Sequence, residues 1–231
     1  MANGFIPFKE PSKLYDHGVD IFNELVWRSF FQDVNEEYPG CITCKMHDLA
    51  QSIMRHECIA VKSSKAVKVE GRIFHMFYGM ISDISLNEDL CKVRYLRSCL
   101  GTFDCKTSRP FFLKQKYLRV LDFRCVVQEV PESINNLKHL RYLDMSNSYI
   151  KVLPKSKTCL LNLQMLKLDF CHSLCELPNG MKHMKNLMYL GITYCHTLSR
   201  MPEGMGQLTC LQSLSFYIAS KEKGYQIFET S

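Results

Sequence analysis

Apolar residues return along this chain on a long beat. The segments LRVLDF (118–123), LRYLDM (140–145), LQMLKL (163–168), LMYLGI (187–192) and LQSLSF (211–216) share the frame L-x-x-L-x-apolar, and their first leucines lie 22, 23, 24 and 24 residues apart. A second signal keeps phase with the first: Pro131, Pro154, Pro178 and Pro202 each stand nine residues before the next frame. Between proline and frame, apolar residues step by three, as Ile134 and Leu137, Met181 and Met184, Met205 and Leu208. Alternation within each frame predicts a short strand, and the step of three predicts a 3₁₀ or α turn on the way back.

No single unit of this size can bury its own apolar face, so stacked neighbours must do it. A period in the twenties with this frame predicts an α/β leucine-rich repeat solenoid, with parallel strands on the concave face and short helical or 3₁₀ return turns. Lys157 takes the place held by Ile134, Met181 and Met205, and predicts a looser return in that repeat. Phe74-x-x-Phe77 and Leu96-x-x-Cys99 read as degenerate opening repeats, since Phe74, Leu96 and Leu118 are spaced 22 and 22.

The first quarter has a different pattern. Pro7 and Pro11 punctuate a loop, and from Asp20, a suitable N-cap, the set Ile21, Phe22, Leu25 and Val26 predicts an amphipathic helix to about Phe30. Asn35 to Gly40 reads as a polar turn, Cys41 to Cys44 as a short strand, and Asp48 with Gln51 as the capping pair of a second helix with the stripe Leu49, Ala50, Ile53 and Met54. This order predicts a partial winged-helix-like module at 1–60 and a repeat domain at 61–231, with degenerate repeats from about 74 and clear ones over 118–216. Lys62 to Lys68 is the polar junction.

Composition changes this picture little: 46% apolar and 23% charged residues are ordinary for a globular chain. No apolar run approaches the length of a membrane span, and the N-terminus has no basic start followed by an apolar core. Twelve scattered cysteines favour reduced thiols in a cytosolic or nuclear compartment. The net charge of +6 belongs to the repeats: residues 1–110 hold 14 Lys/Arg against 14 Asp/Glu, and residues 111–231 hold 15 against 9. Arg119, Arg124, Arg141, Lys167, Lys182 and Lys185 are spread over several repeats rather than run together. They read as a solvated surface favouring acidic partners, not as a nucleic-acid footprint.

The cysteine and histidine patterns suit packing better than metal or catalysis. Cys41-x-x-Cys44 has zinc spacing but no second pair at a fitting distance, and Cys171-His172 and Cys195-His196 simply recur in one repeat slot, where a small buried side chain fits. No metal site is read. There is no Gly-x-Ser-x-Gly elbow, no His-Glu-x-x-His and no marked carboxylate pair, so no catalytic residue is assigned.

GVDIFNELVWRSFFQDV, the tetrad Met46-His47-Asp48-Leu49 and then leucine-rich repeats together resemble the plant intracellular nucleotide-binding leucine-rich repeat (NB-ARC) disease-resistance proteins of the coiled-coil type. The resemblance covers nearly the whole chain and implies a receptor gated by ADP and ATP. It puts His47 against the phosphates of ADP, with Met46 and Asp48 framing it. The phosphate-binding G-x-x-x-x-G-K-[ST] loop is missing, and no glycine here is followed by lysine. The 231 residues therefore match the C-terminal latch and repeats of that family, without its P-loop core, and are read as holding no nucleotide cofactor of their own.

Recognition remains. Side chains alternating with the leucines are expected on the concave face: Val120, Asp122 and Arg124; Tyr142, Asp144 and Ser146; Met165, Lys167 and Asp169; Tyr189, Gly191 and Thr193; Ser213, Ser215 and Tyr217. The strip is expected to bind protein, and the resemblance implies a pathogen effector, a host guardee or the receptor's own NB-ARC domain. The alternative is a stand-alone intracellular repeat scaffold that binds proteins and has no switch.

Overall fold

The computed structural model describes residues 14–38, 41–48, 52, 57–61, 72–78, 93–101, 111–122, 128–154, 160–218 and 227–228. The first helix, α1 (Leu14–Trp27), carries the expected stripe Ile21, Phe22, Leu25 and Val26 half-buried, but begins upstream of Asp20. It also stops short of Phe30. Ser29 takes the left-handed conformation (φ 60), its N–H bonds Val26 O, and the N–H of Phe30 reaches back to Leu25 O, both at 2.9 Å. That double closure terminates a helix whatever its hydrophobic pattern.

Two antiparallel strands follow, β1 (Phe31–Tyr38) and β2 (Cys41–Met46), with Phe31 opposite Met46 and Tyr38 opposite Cys41. Asn35 to Tyr38, expected in a turn, lie in β1. Cross-strand partners Thr43 and Ile42 hold Asn35 and Glu36 in the ladder, and irregularities on both sides absorb their poor strand character. The rest of the expected turn, residues 39 and 40, lies outside the described residues. Phe22 stacks on Phe31 at 5.5 Å and joins helix to hairpin. Asp48 and Ser52 are helical where the second helix is expected, and its stripe residues lie outside the described set.

The remaining order comes from one parallel sheet of eight strands in strict chain sequence: β3 (Cys58–Val61), β4 (His75–Tyr78), β5 (Ser98–Leu100), β6 (Val120–Asp122), β7 (Tyr142–Asp144), β8 (Met165–Lys167), β9 (Tyr189–Gly191) and β10 (Ser213–Leu214). The central residue of each strand points inward and pairs with the next in one ladder: Ile59, Met76, Cys99, Leu121, Leu143, Leu166, Leu190 and Leu214. From Met76 to Leu190 every rung is at most 3% exposed. The first leucines of the frames from Leu96 to Leu187 are wholly buried beside it. β3 is a strand the sequence pattern does not announce, and it straddles the division expected at residue 60.

The return path is built as the step of three predicts. After Pro131 and Pro178, both extended, 3₁₀ turns run over Glu132–Asn136 and Asn179–His183; a third, Met205–Gln207, follows Gly204 at φ +80. Ile134, Leu137, Met181, Met184 and Leu208 are buried against the sheet. The return holding Lys157 lies outside the described residues. Before β6, a helical turn at 111–114 inserts Phe111 and Phe112, both buried, edge to face at 5.8 Å. Beyond β10, β11 (Tyr217–Ile218) and β12 (Ile227–Phe228) pair antiparallel with each other. No helix among the described residues is long and apolar enough to cross a membrane.

Candidate functional site

Three-residue strands leave two side chains facing away from the core, and parallel register aligns them in rows. The first row is Val120, Tyr142, Met165, Tyr189 and Ser213 on β6 to β10. The second is Asp122, Asp144, Lys167 and Gly191 on β6 to β9. With strands spaced about 4.8 Å apart, the first row runs roughly 19 Å along the solenoid.

The two rows differ in access. Tyr142, Met165, Tyr189 and Val120 are half-buried and Ser213 is exposed. Asp122 and Asp144, by contrast, are only 7% and 5% exposed, and Ser146 is 6%. Of these three, expected as contact residues, Asp144 and Ser146 are tied to the face by hydrogen bonds. The Tyr142 hydroxyl donates to one oxygen of Asp144 at 3.1 Å, and the N–H of Ser146 donates to the other at 2.9 Å. Short rows crowd small acidic groups beneath their longer aromatic neighbours, and a buried carboxylate persists only with such donors.

The same device recurs one coil on. Asp169 accepts from the Thr193 N–H at 2.8 Å, and Ser215 Oγ accepts from the Ile192 N–H at 2.8 Å. The second oxygen of Asp169 lies where a Cβ on Gly191 would meet it at 2.5 Å, so Gly191 is the hollow that admits this carboxylate. Burial, and then the Asp169 and Asp144 carboxylates, push the Tyr189 phenol above its ordinary range and keep it a donor. Lys167 is half-buried on β8, two residues before Asp169 and in register with Asp144 on β7. Tyr142, Met165, Lys167, Asp169, Tyr189 and Thr193 thus form a strip with apolar area, donors, one cation and one carboxylate.

Other expected positions fall elsewhere. Tyr217 is exposed but opens β11, outside the parallel sheet, and Arg124 lies outside the described residues. Met46 ends β2, His47 donates its N–H to Phe30 O at 2.9 Å, and Asp48 is exposed. In the repeat slot after the strand, Cys171 and Cys195 are buried, and each Sγ donates to a carbonyl of the preceding coil, Met145 O at 3.3 Å and Leu168 O at 3.0 Å. Among the described residues no three potential ligands gather as for a metal ion. The opening frame expected at Phe74-x-x-Phe77 is shifted by one residue: Met76 and not Phe77 pairs with Cys99, so Phe77 pairs with Leu100 and both are exposed, carrying the outward face onto β4 and β5.

A leucine-rich repeat region model matches residues 95–229. The chain belongs to the leucine-rich repeat family. A disease resistance protein winged helix domain model matches residues 1–54, which include α1, β1 and β2. Among curated relatives, RGA1 of Solanum bulbocastanum is 36% identical over 232 residues, covering 99% of this chain and 22% of the relative. The disease resistance protein RGA2 of the same species is 34% identical over 229 residues, with coverage of 99% and 22%. Disease resistance RPP13-like protein 4 of Arabidopsis thaliana is 29% identical, with coverage of 77% and 22%. This leucine-rich repeat chain therefore spans about a fifth of the length of the relatives it matches, and those relatives are plant disease-resistance proteins. The leucine-rich repeat domain of the type III effector XopL superposes with a TM-score of 0.45 at 15% identity, covering 90% of this chain and 83% of that one.

Proposed function

We propose that the chain is the recognition part of an intracellular plant immune receptor, cytosolic or nuclear, in which the strip over β7 to β9 binds a protein. The observation that carries this is the strip itself: two tyrosines, Tyr142 and Tyr189, set two coils apart by strand register, with Met165 and Lys167 on the strand between them and the first tyrosine bonded to the buried Asp144 carboxylate. Tyrosine supplies area with a polar tip, and fixed charges choose the partner. The bound protein is a pathogen effector, a host guardee or the receptor's own NB-ARC domain; the last would make the repeats autoinhibitory. The division into a module at 1–60 and repeats over 61–231 belongs to this reading, as does a latch role for Met46, His47 and Asp48 against ADP in a chain that also carries the phosphate loop.

A second reading is a repeat scaffold with no nucleotide switch, favoured by the strip alone, whose apolar area, donors and charges need no nucleotide to bind a protein. Both readings share the strip. Replacing Tyr142, Lys167 and Tyr189 together with alanine should remove the protein captured by the wild-type chain from leaf extract while the repeats stay folded by circular dichroism, at a melting temperature lowered by loss of the Tyr142 donor to Asp144. Equal capture by the triple variant would refute a binding role for this face.

A further inference from the structure

The basic residues that look scattered along the chain are gathered by the fold. Arg97, Arg119 and Arg141 each stand immediately before a strand, β5, β6 and β7, and their backbones are bonded in register: Arg119 N–H to Arg97 O and Arg141 N–H to Arg119 O, both at 2.8 Å. All three are half-buried. Three residues earlier, Arg94, Lys116 and Lys138 form a second column, exposed to solvent. Between the columns run Tyr95, Tyr117 and His139, stacked at 6.1 and 6.5 Å with interplanar angles of 18° and 16°. The segments 93–101, 111–120 and 137–143 hold no acidic residue.

The patch is also bounded. In the following coils the arginine column becomes Gln164, Met188 and Gln212, and the aromatic column becomes Asn162 and Asn186, whose amides stitch coil to coil at 2.8 and 2.9 Å. The arginine column thus ends at Arg141, while the outer column breaks at Leu161 and has a further cation at Lys185. One guanidinium is held in place as well: Arg97 lies 4.6 Å over the Phe74 ring. Burial, and then Arg141 and Arg97, lower the Arg119 pKa from its ordinary value, so the like charges act on one another.

We propose that this edge, at the entry to β5, β6 and β7, is a binding site for a multiply phosphorylated anion. Arg97, Arg119 and Arg141 would present guanidinium forks to its phosphate oxygens, and Arg94, Lys116 and Lys138 would add point charges at the rim. Guanidinium forks pair two donors with two oxygens, a geometry ammonium groups lack. Coils about 4.8 Å apart offer one fork per coil, which suits a row of phosphates. A nucleic acid read by its bases would need aromatic faces free for stacking, whereas Tyr95, Tyr117 and His139 stack on each other.

Calorimetry of the full chain with inorganic tripolyphosphate at low salt tests this. Saturable 1:1 binding is expected, weakened about tenfold or more in the triple variant Arg97→Gln, Arg119→Gln, Arg141→Gln. A control removing the same charge elsewhere, Lys151→Gln, Lys182→Gln, Arg200→Gln, should stay within about threefold of wild type. Absent or non-saturating binding, or equal loss in the control, overturns the site. If the triple variant fails to fold, Arg119→Lys serves, keeping charge but losing the fork; unchanged affinity there overturns the proposal. A single-stranded oligonucleotide binding as tightly as tripolyphosphate through the same arginines identifies a nucleic-acid backbone as the source of the phosphates. Tighter binding of an oligoglutamate than of either overturns phosphate as the ligand.

Discussion

Gly191 shows how much one residue decides on this face. Its backbone is ordinary for a strand, so the requirement is for space, filled by the Asp169 carboxylate that also accepts from Thr193. Gly191→Ala should displace that carboxylate and cost about 0.5–1.5 kcal/mol in chemical denaturation, the worth of the Thr193 hydrogen bond it breaks. Adding Asp169→Ala should recover part of the loss, since the two changes share one volume. Strict additivity would show that the carboxylate is not what the new methyl meets. None of this was legible beforehand. Alternation along a strand tells which residues face away from the core, as Asp122, Asp144 and Lys167 do in the register of β6 to β8. It does not tell which will be roofed by a neighbour's ring, because the neighbour lies a full turn away in sequence.

At the scale of elements, the repeats were legible because their signal is redundant: frame, proline and step of three all agree from Leu118 onward, and β6 to β10 fall in those frames. β3 escaped because its sequence, CIAV, has no leucine frame and precedes the corresponding residue of β4 by 17 residues rather than 22 to 24. The helix α1 was found, but its limits were set by the left-handed Ser29 and not by hydrophobic spacing. This N-terminal part of the sheet has a pH dependence of its own. His75 on β4 has its pKa lowered from 6.5 by burial first and by Arg97 second, against an opposing Glu57. The unfolded chain therefore binds the proton more readily than the folded one. Stability from this group is present above about pH 6.5 and is lost as pH falls through its lower folded value. The melting temperature should drop between pH 7 and 5, and His75→Gln should flatten that slope; an identical slope in the variant would place the titration elsewhere.

For the whole molecule, stacking makes position along the solenoid matter more than residue type. Leu166 is buried between Leu143 and Leu190, whereas Leu214 ends the ladder half-buried with one strand neighbour in it. Leu166→Ala should cost about 2–5 kcal/mol in urea unfolding and Leu214→Ala no more than about half of that. Equal costs would mean that the coils do not share their stability between neighbours. The arginine columns teach the same lesson about legibility: charges 22 residues apart look diluted on a line and become adjacent only when the line is wound. The strand of three residues, one inward and two outward, also governs how such a surface can diversify. Each coil fastens itself through a single hidden letter, so the visible letters on either side can be rewritten one at a time, and a new specificity can be spelled without unpicking the binding of the book.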